Sequence, residues 1–214
     1  VPTCDSAMFI TGYGAYEISS DPGFAVSRIS MLDRGVLYAV PHIRGGGEMG
    51  RAWYEQGHLL NKKHSFEDFI DATRALQRAG LASPLRTVAN GGSAGGLLMG
   101  AVANMAPECY AGVEADVPFV DALTSILDPS LPLTVTEWDE WGDPLHDADV
   151  YVYMKSYTPY ENAPDSENDE RTAVFPKIFI TTSMNDTRVL YVEPMKWLAR
   201  LQHAGVDAVA KIEV

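Results

Sequence analysis

Residues 89–98 read ANGGSAGGLL, and within them Ser93 occupies the centre of a Gly-x-Ser-x-Gly pattern whose fixed positions are Gly91, Ser93 and Gly95. A hydroxyl becomes a useful nucleophile only when it is exposed, held still and relieved of its proton, and the reaction such a serine serves is acyl transfer. A nucleophile elbow meets the first two needs. It is a sharp strand-to-helix turn that throws the serine out from the end of a sheet, with little more than hydrogen tolerated at the flanking positions. The helix that follows aims backbone N–H groups at a developing oxyanion, and the N–H of Ala94 is the natural donor. Here the pattern lies between RTVAN (86–90), which reads as a strand, and the apolar run GLLMGAVANMA, which reads as a helix buried on most sides.

An activated serine needs an acid and a base, which in this kind of fold follow it in the order Ser, acid, His. KIFITTSMNDTRV places Asp186 just beyond a strand; Asp116 and Asp121 also lie near a strand end and compete with it. Of His42, His58, His64, His146 and His203, only His203 follows Asp186, and it stands within the helical run KWLARLQHAG rather than on a loop. The base is therefore expected beyond Val214, in a longer protein of which these residues are a piece. Both ends read as cut, the chain opening near a strand without Met and stopping inside DAVAKIEV.

A second group of residues could recognise rather than react. TEWDEW (136–141) sets Glu137, Asp139 and Glu140 within four positions. Read as an extended segment, it puts Glu137 and Asp139 on one side. Paired carboxylates facing a pocket repel one another until a guanidinium or ammonium enters between them; the same cluster is equally what a solvated acidic loop looks like. Nucleotide chemistry is not supported. No glycine is followed by Lys and then Ser or Thr, as a phosphate-binding loop requires. GYGAYE carries Glu17 where a dinucleotide fingerprint needs its third glycine.

The elements that must position these groups alternate. Strands are expected over 7–11, 35–40, 86–90, 112–117, 177–182 and 208–214. A helix over SFEDFIDATRALQRAG is expected to be capped by Ser65 with Asp68 as its partner and to end at Gly80, and another over PMKWLARLQHAG has Pro194 in its first turn. Such alternation indicates a mostly parallel sheet with helices on both faces. The stretch 119–172, rich in Pro, Asp, Trp and Tyr, breaks the rhythm and reads as an insertion at the strand ends; ENAPDSENDER within it reads as a solvated acidic loop. The 214 residues suit one α/β domain, and 46% apolar residues are enough to bury its core. With 16 basic against 29 acidic residues, a net charge of −13 disfavours nucleic acid and anionic membrane as partners. Cys4 and Cys109 form neither a disulfide framework nor a metal pattern. No apolar run is long enough to span a membrane and no signal peptide is visible, so a cytoplasmic location is the expectation.

Beyond these readings, the chain resembles the catalytic domain of the prolyl oligopeptidase family of serine peptidases, and within it the oligopeptidase B branch, which cleaves after Arg and Lys. The resemblance rests on GYGAY, SRISMLDRGVLYAVPHIRGGGEMG, WYEQG, GGSAGGLLMG, VPFVDALTSILDPSLPLT, EWDEWG, YMKSYTPYENA, NDTRV and YVEPMKW, from about Phe9 to the end. It implies an α/β-hydrolase fold over 1–214, without the β-propeller that precedes it in the family, acting without cofactor or metal on short peptides with basic residues. It implies Ser93 as nucleophile, Asp186 as the acid, and Tyr13 completing an oxyanion hole beside Ala94. Arg188 matches the arginine that holds a substrate carbonyl, Phe119 the phenylalanine on a basic side chain's stem, and Glu137 and Asp139 the paired glutamates of the specificity pocket. Asp21 matches an acid favouring a second basic residue, while Gly23 stands where that branch often has another acid. A prolyl-specific peptidase, an esterase, or a domain that only binds basic peptides are the alternatives.

Overall fold

The computed structural model describes residues 2–166 and 168–214. Six strands form one sheet: β1 (Met8–Thr11), β2 (Leu37–Ala39), β3 (Thr87–Gly92), β4 (Gly112–Asp116), β5 (Lys177–Ser183) and β6 (Ala208–Glu213), in the order β2-β1-β3-β4-β5-β6 and parallel at every pairing. These are the strands the apolar runs predict, with shifts of a residue or two at their ends. The central strands β3 and β4 alternate buried with half-buried residues, as strands covered on both sides by neighbours do.

The connections are α1 (Val26–Asp33), α2 (Arg51–Glu55), α3 (Lys63–Arg78), α4 (Ala94–Met105), α5 (Ala122–Ile126), α6 (Thr134–Trp141), α7 (Ala148–Lys155), α8 (Pro159–Asn162) and α9 (Val192–His203). Parallel crossovers are right-handed, so α1, which steps from β1 outward to β2, lies on the face opposite α3, α4 and α9. The two faces are covered unequally. Helix α4 is buried along almost its whole length, whereas α1 buries no residue and Phe179, Val209 and Ile212 of the sheet remain exposed.

Local chemistry departs from expectation at α3. Ser65 does not cap it. The helix begins two residues earlier, and Ser65 is buried inside it with its hydroxyl 2.6 Å from the Arg44 carbonyl. Asp68 turns outward from the helix start to form two bonds with the Arg44 guanidinium, at 2.6 and 2.8 Å, and a third with its backbone N–H at 3.0 Å. Tertiary demand by the 44–46 loop outcompetes the local cap.

The stretch from 119 to 172 is helical rather than irregular, supplying α5 to α8 between β4 and β5. Of the acidic loop within it, Glu161 and Asn162 belong to α8, Asp169 pairs with Arg171 at 2.6 Å, and Glu167 lies outside the described residues. This helical cap is fastened to α9 by buried polar groups. Glu193 accepts the Asp121 N–H at 3.0 Å and the Ser125 hydroxyl at 2.5 Å, and Lys196 pairs with Asp121.

Burial pushes the Glu193 carboxyl up to about 7, against the pull of its two donors. A carboxyl whose pKa is raised by folding favours the folded state while protonated and loses that contribution as pH rises through the raised value. Folding stability is therefore expected to decline between about pH 4.5 and 7 by on the order of 1–3 kcal/mol. Glu193→Gln should flatten that slope in urea midpoints measured against pH; an unchanged slope would remove Glu193 as its source.

Candidate active site

The turn between β3 and α4 is an elbow. Ser93 lies in the left-handed region at φ 56° and ψ −118°, and its N–H donates to the Asp116 carbonyl at 2.8 Å while its own carbonyl accepts from Gly96 at 2.8 Å and Phe119 at 3.1 Å. Two glycines make room for this. A Cβ on Gly91 would stand 2.4 Å from the Gly95 carbonyl oxygen, and one on Gly95 would stand 2.8 Å from that of Gly12. Ser93 is half-buried on the wall of a cavity of about 560 Å³, within the usual range of ligand pockets. Ala94, at the first position of α4, has no carbonyl inside its own helix for its N–H, which is left for a ligand at the same wall.

The same cavity gathers Tyr13, Asp186, Arg188, Phe119 and Glu137 around Ser93. Three of the five non-glycine residues with positive φ among those described, Tyr16, Ser93 and Val117, also line it. Backbone strain is thus concentrated where side chains must be aimed. Burial raises the Tyr13 phenol above its ordinary value, the neighbouring Ser93 hydroxyl opposes this, and the charges of Glu137 and Glu140 add to the rise. The phenol therefore remains a donor through the physiological range. Asp186 sits on the turn after β5, and its Oδ1 accepts the N–H groups of Arg188 at 2.8 Å and Val189 at 3.0 Å, which fixes the carboxylate against the loop. Arg188 is exposed at the rim. The competing acids are occupied elsewhere: Asp116 accepts from Thr181 and Asn90, and Asp121 is sealed against Lys196.

The acidic stretch corrects the sequence reading. Residues 134–141 are helix, not extended chain, so positions 137 and 139 fall on nearly opposite sides. Glu137 lines the cavity. Asp139 is exposed and lies outside that cavity, in an adjoining depression that Glu137 and Tyr16 border as well, with Glu17, Arg51 and Tyr54. Glu140 turns into the core, 3% exposed. One carboxylate of the expected pair, rather than two, faces the cavity. Its Oε2 accepts the Tyr16 hydroxyl at 2.5 Å and the Trp141 indole N–H at 2.9 Å. Burial and the adjacent Glu137 push the Tyr16 phenol well up, which keeps it a donor. Phe119 packs on Trp141 with ring centroids 5.7 Å apart, so an aromatic wall backs the carboxylate. Asp21 is exposed and lies outside this cavity, in a neighbouring depression that shares Tyr13 with it.

None of the histidines, all of them described, lines the cavity; His203 is exposed on α9. Four residues that sequence reasoning did not single out belong to the site: Tyr16 and Trp141, which hold Glu137, and Ser125 and Glu193 on the wall. The signal for Trp141 was within reach. Gly142, at φ 95°, ends a helix in which Glu137 and Trp141 are one turn apart. No short-range pattern identifies Tyr16, whose partner is 121 positions away.

Comparison with known proteins agrees with this geometry. Protease 2 from Moraxella lacunata is 48% identical over 200 residues, covering 94% of this chain and 28% of that protein. Dipeptidyl aminopeptidase BI from Pseudoxanthomonas mexicana is 50% identical over 195 residues, covering 91% of this chain and 26% of that protein. Among solved structures, oligopeptidase B from Leishmania major superposes with a TM-score of 0.91 at 42% identity, over 98% of this chain and 29% of that one. The chain thus spans little more than a quarter of the length of these relatives. No helix among the described residues is long and apolar enough to cross a membrane. The profile of the prolyl oligopeptidase family matches residues 22–213, and the chain, an α/β-hydrolase domain built around the Ser93 elbow, belongs to that family.

Proposed function

We propose that these residues form the catalytic domain of a serine oligopeptidase that hydrolyses short peptides on the carboxyl side of Arg or Lys. The observation that carries the reading is the placement of one carboxylate, Glu137, in the same cavity as the Ser93 elbow, with both its donors on one oxygen so that the other is left for a cation. Ser93 attacks the scissile carbonyl. The Ala94 N–H and the Tyr13 hydroxyl receive the oxyanion, and Arg188 holds a carbonyl of the bound peptide. The base that accepts the serine proton is a histidine outside residues 1–214. Asp186 orients it, through the Oδ2 that the Arg188 and Val189 amides leave unused. The stem of the basic side chain lies along Phe119 and its charged head meets Glu137. Asp139 lies outside the cavity, in the adjoining depression that Glu137 also borders, and acts at longer range; Asp21 acts on a second basic residue from the depression beyond Tyr13. The natural compartment is proposed to be the cytoplasm and the partners to be peptides; the mechanism draws on no cofactor or metal.

Part of the lining, from Ile126 and Leu131 to Leu133, is apolar, as a pocket for proline would be. Glu137 favours the basic reading, because a carboxylate buried beside a proline ring would lose hydration with no charge in return.

Peptides differing only in Arg, Lys or Pro before the scissile bond separate the readings when supplied to the full-length enzyme. Arg and Lys should be cleaved and Pro should not. Blocking the peptide's amino terminus should leave cleavage intact, whereas loss of cleavage would point to removal of N-terminal dipeptides instead. Glu137→Gln should lower kcat/KM on the Arg peptide by roughly 100-fold, since one desolvated charge-assisted contact is lost, while Asp139→Asn should change it by less than about threefold, as suits an exposed charge. Equal losses in the two variants would contradict the geometry. Tyr13→Phe should lower kcat by roughly 100-fold with little change in KM, the pattern of a donor that serves the transition state.

A further inference from the structure

Lys62, immediately before α3, is a cation sealed in the core at 2% exposure. Removing an ammonium from water costs several kcal/mol unless its hydrogens all find acceptors. Three acceptors surround Nζ: the Gly14 carbonyl at 2.6 Å, the Gly57 carbonyl at 3.1 Å and Glu140 Oε1 at 3.4 Å. The ammonium also lies 4.8 Å from the centroid of the Trp141 ring. Burial lowers its pKa to about 8, with Glu140 opposing, so near neutrality it keeps all three donors.

Three of these four contacts, those with Gly14, Glu140 and Trp141, lead to the active site. Gly14 directly follows Tyr13, the oxyanion donor. Glu140 accepts the Tyr54 hydroxyl on Oε2 at 2.7 Å and the Tyr16 backbone N–H on Oε1 at 3.1 Å. Tyr16 and Glu17 are consecutive non-glycine residues at φ 57°, a conformation that persists only where surrounding bonds over-determine it. Glu140 supplies one such bond, and the Gly45 carbonyl another, accepting from Glu17 at 3.2 Å. That strained turn delivers the Tyr16 hydroxyl to Glu137. Trp141, beside the ammonium, delivers its indole N–H to the same oxygen.

We infer that Lys62, through its pair with Glu140, is a positioning residue that sets both the oxyanion donor Tyr13 and the cation-binding carboxylate Glu137 from a single buried charge. The inference rests on the reading of Glu137 given above. It extends that reading from the residues touching substrate to one that never meets it.

The test uses the full-length enzyme and two peptides that differ only before the scissile bond, one with arginine and one with citrulline, its uncharged isostere. Lys62→Met keeps the stem and removes the ammonium. Its kcat/KM should fall about 100-fold on arginine and about tenfold on citrulline, so the preference for arginine shrinks about tenfold, the loss on citrulline appearing in kcat and the loss of preference in KM. An equal fall on both substrates, or none, overturns the inference, because a purely structural lysine would not distinguish them. Should Lys62→Met fail to fold, Glu140→Gln removes the charge paired with Lys62 while keeping the shape of the side chain. Its preference for arginine should drop severalfold, and an unchanged preference overturns the inference. A wild-type enzyme with no preference for arginine over citrulline overturns the Glu137 reading itself, and is seen before any variant is made.

Discussion

The backbone around residues 12, 91 and 95 is packed so closely that a methyl group on Gly91 or Gly95 would stand 2.4–2.8 Å from a carbonyl oxygen. The candidate active site hangs on that approach. Because β3 can turn into α4 without side chains in the way, Ser93 is carried into a left-handed conformation at the end of the sheet, half-exposed, with the start of α4 behind it. The cost of that conformation, of order 1–3 kcal/mol, is offset by backbone hydrogen bonds that tie the turn to Asp116, Gly96 and Phe119. The approach of Gly12 also brings its neighbour Tyr13 to the serine, so one tight contact places the proposed nucleophile and the proposed oxyanion donor together.

Charge is managed differently on the two sides of the cavity. On the β5 side Asp186 is fixed by two backbone amides of its own loop, a local device. On the α6 side Glu137 is fixed by Tyr16 and Trp141, and these in turn by the Lys62–Glu140 pair, a device assembled from three separate stretches of chain. A buried ion pair is weak evidence of stability in itself, since apolar replacements of equal volume often fold as well. Its three accepting partners and the strained turn it borders argue here for orientation.

How much of this the sequence discloses depends on the range of the interaction. The elbow is legible because its glycines are a steric requirement of a turn only five residues long. The six strands are legible because each is a short apolar run between turn residues, and Asp186 because it stands just past one of them. TEWDEW misleads because a charged and aromatic hexapeptide fits either period, and the choice is made by Gly142 at its end and by Glu140 plunging toward Lys62, 78 positions away. Ser65 misleads for a related reason: a local cap was available, but the Arg44 carbonyl, 21 positions off, claims its hydroxyl. The positioning shell of Tyr16, Lys62 and Glu193 consists of such long-range pairs and carries no spacing to recognise.

The claim on which the account stands is that the Ser93 hydroxyl is the reactive nucleophile. A serine-directed fluorophosphonate applied to the full-length protein, followed by peptide mapping, tests it directly. A single adduct on Ser93 that disappears in Ser93→Ala is expected. An adduct that survives that substitution, or a wild-type protein that is left unlabelled, would contradict it.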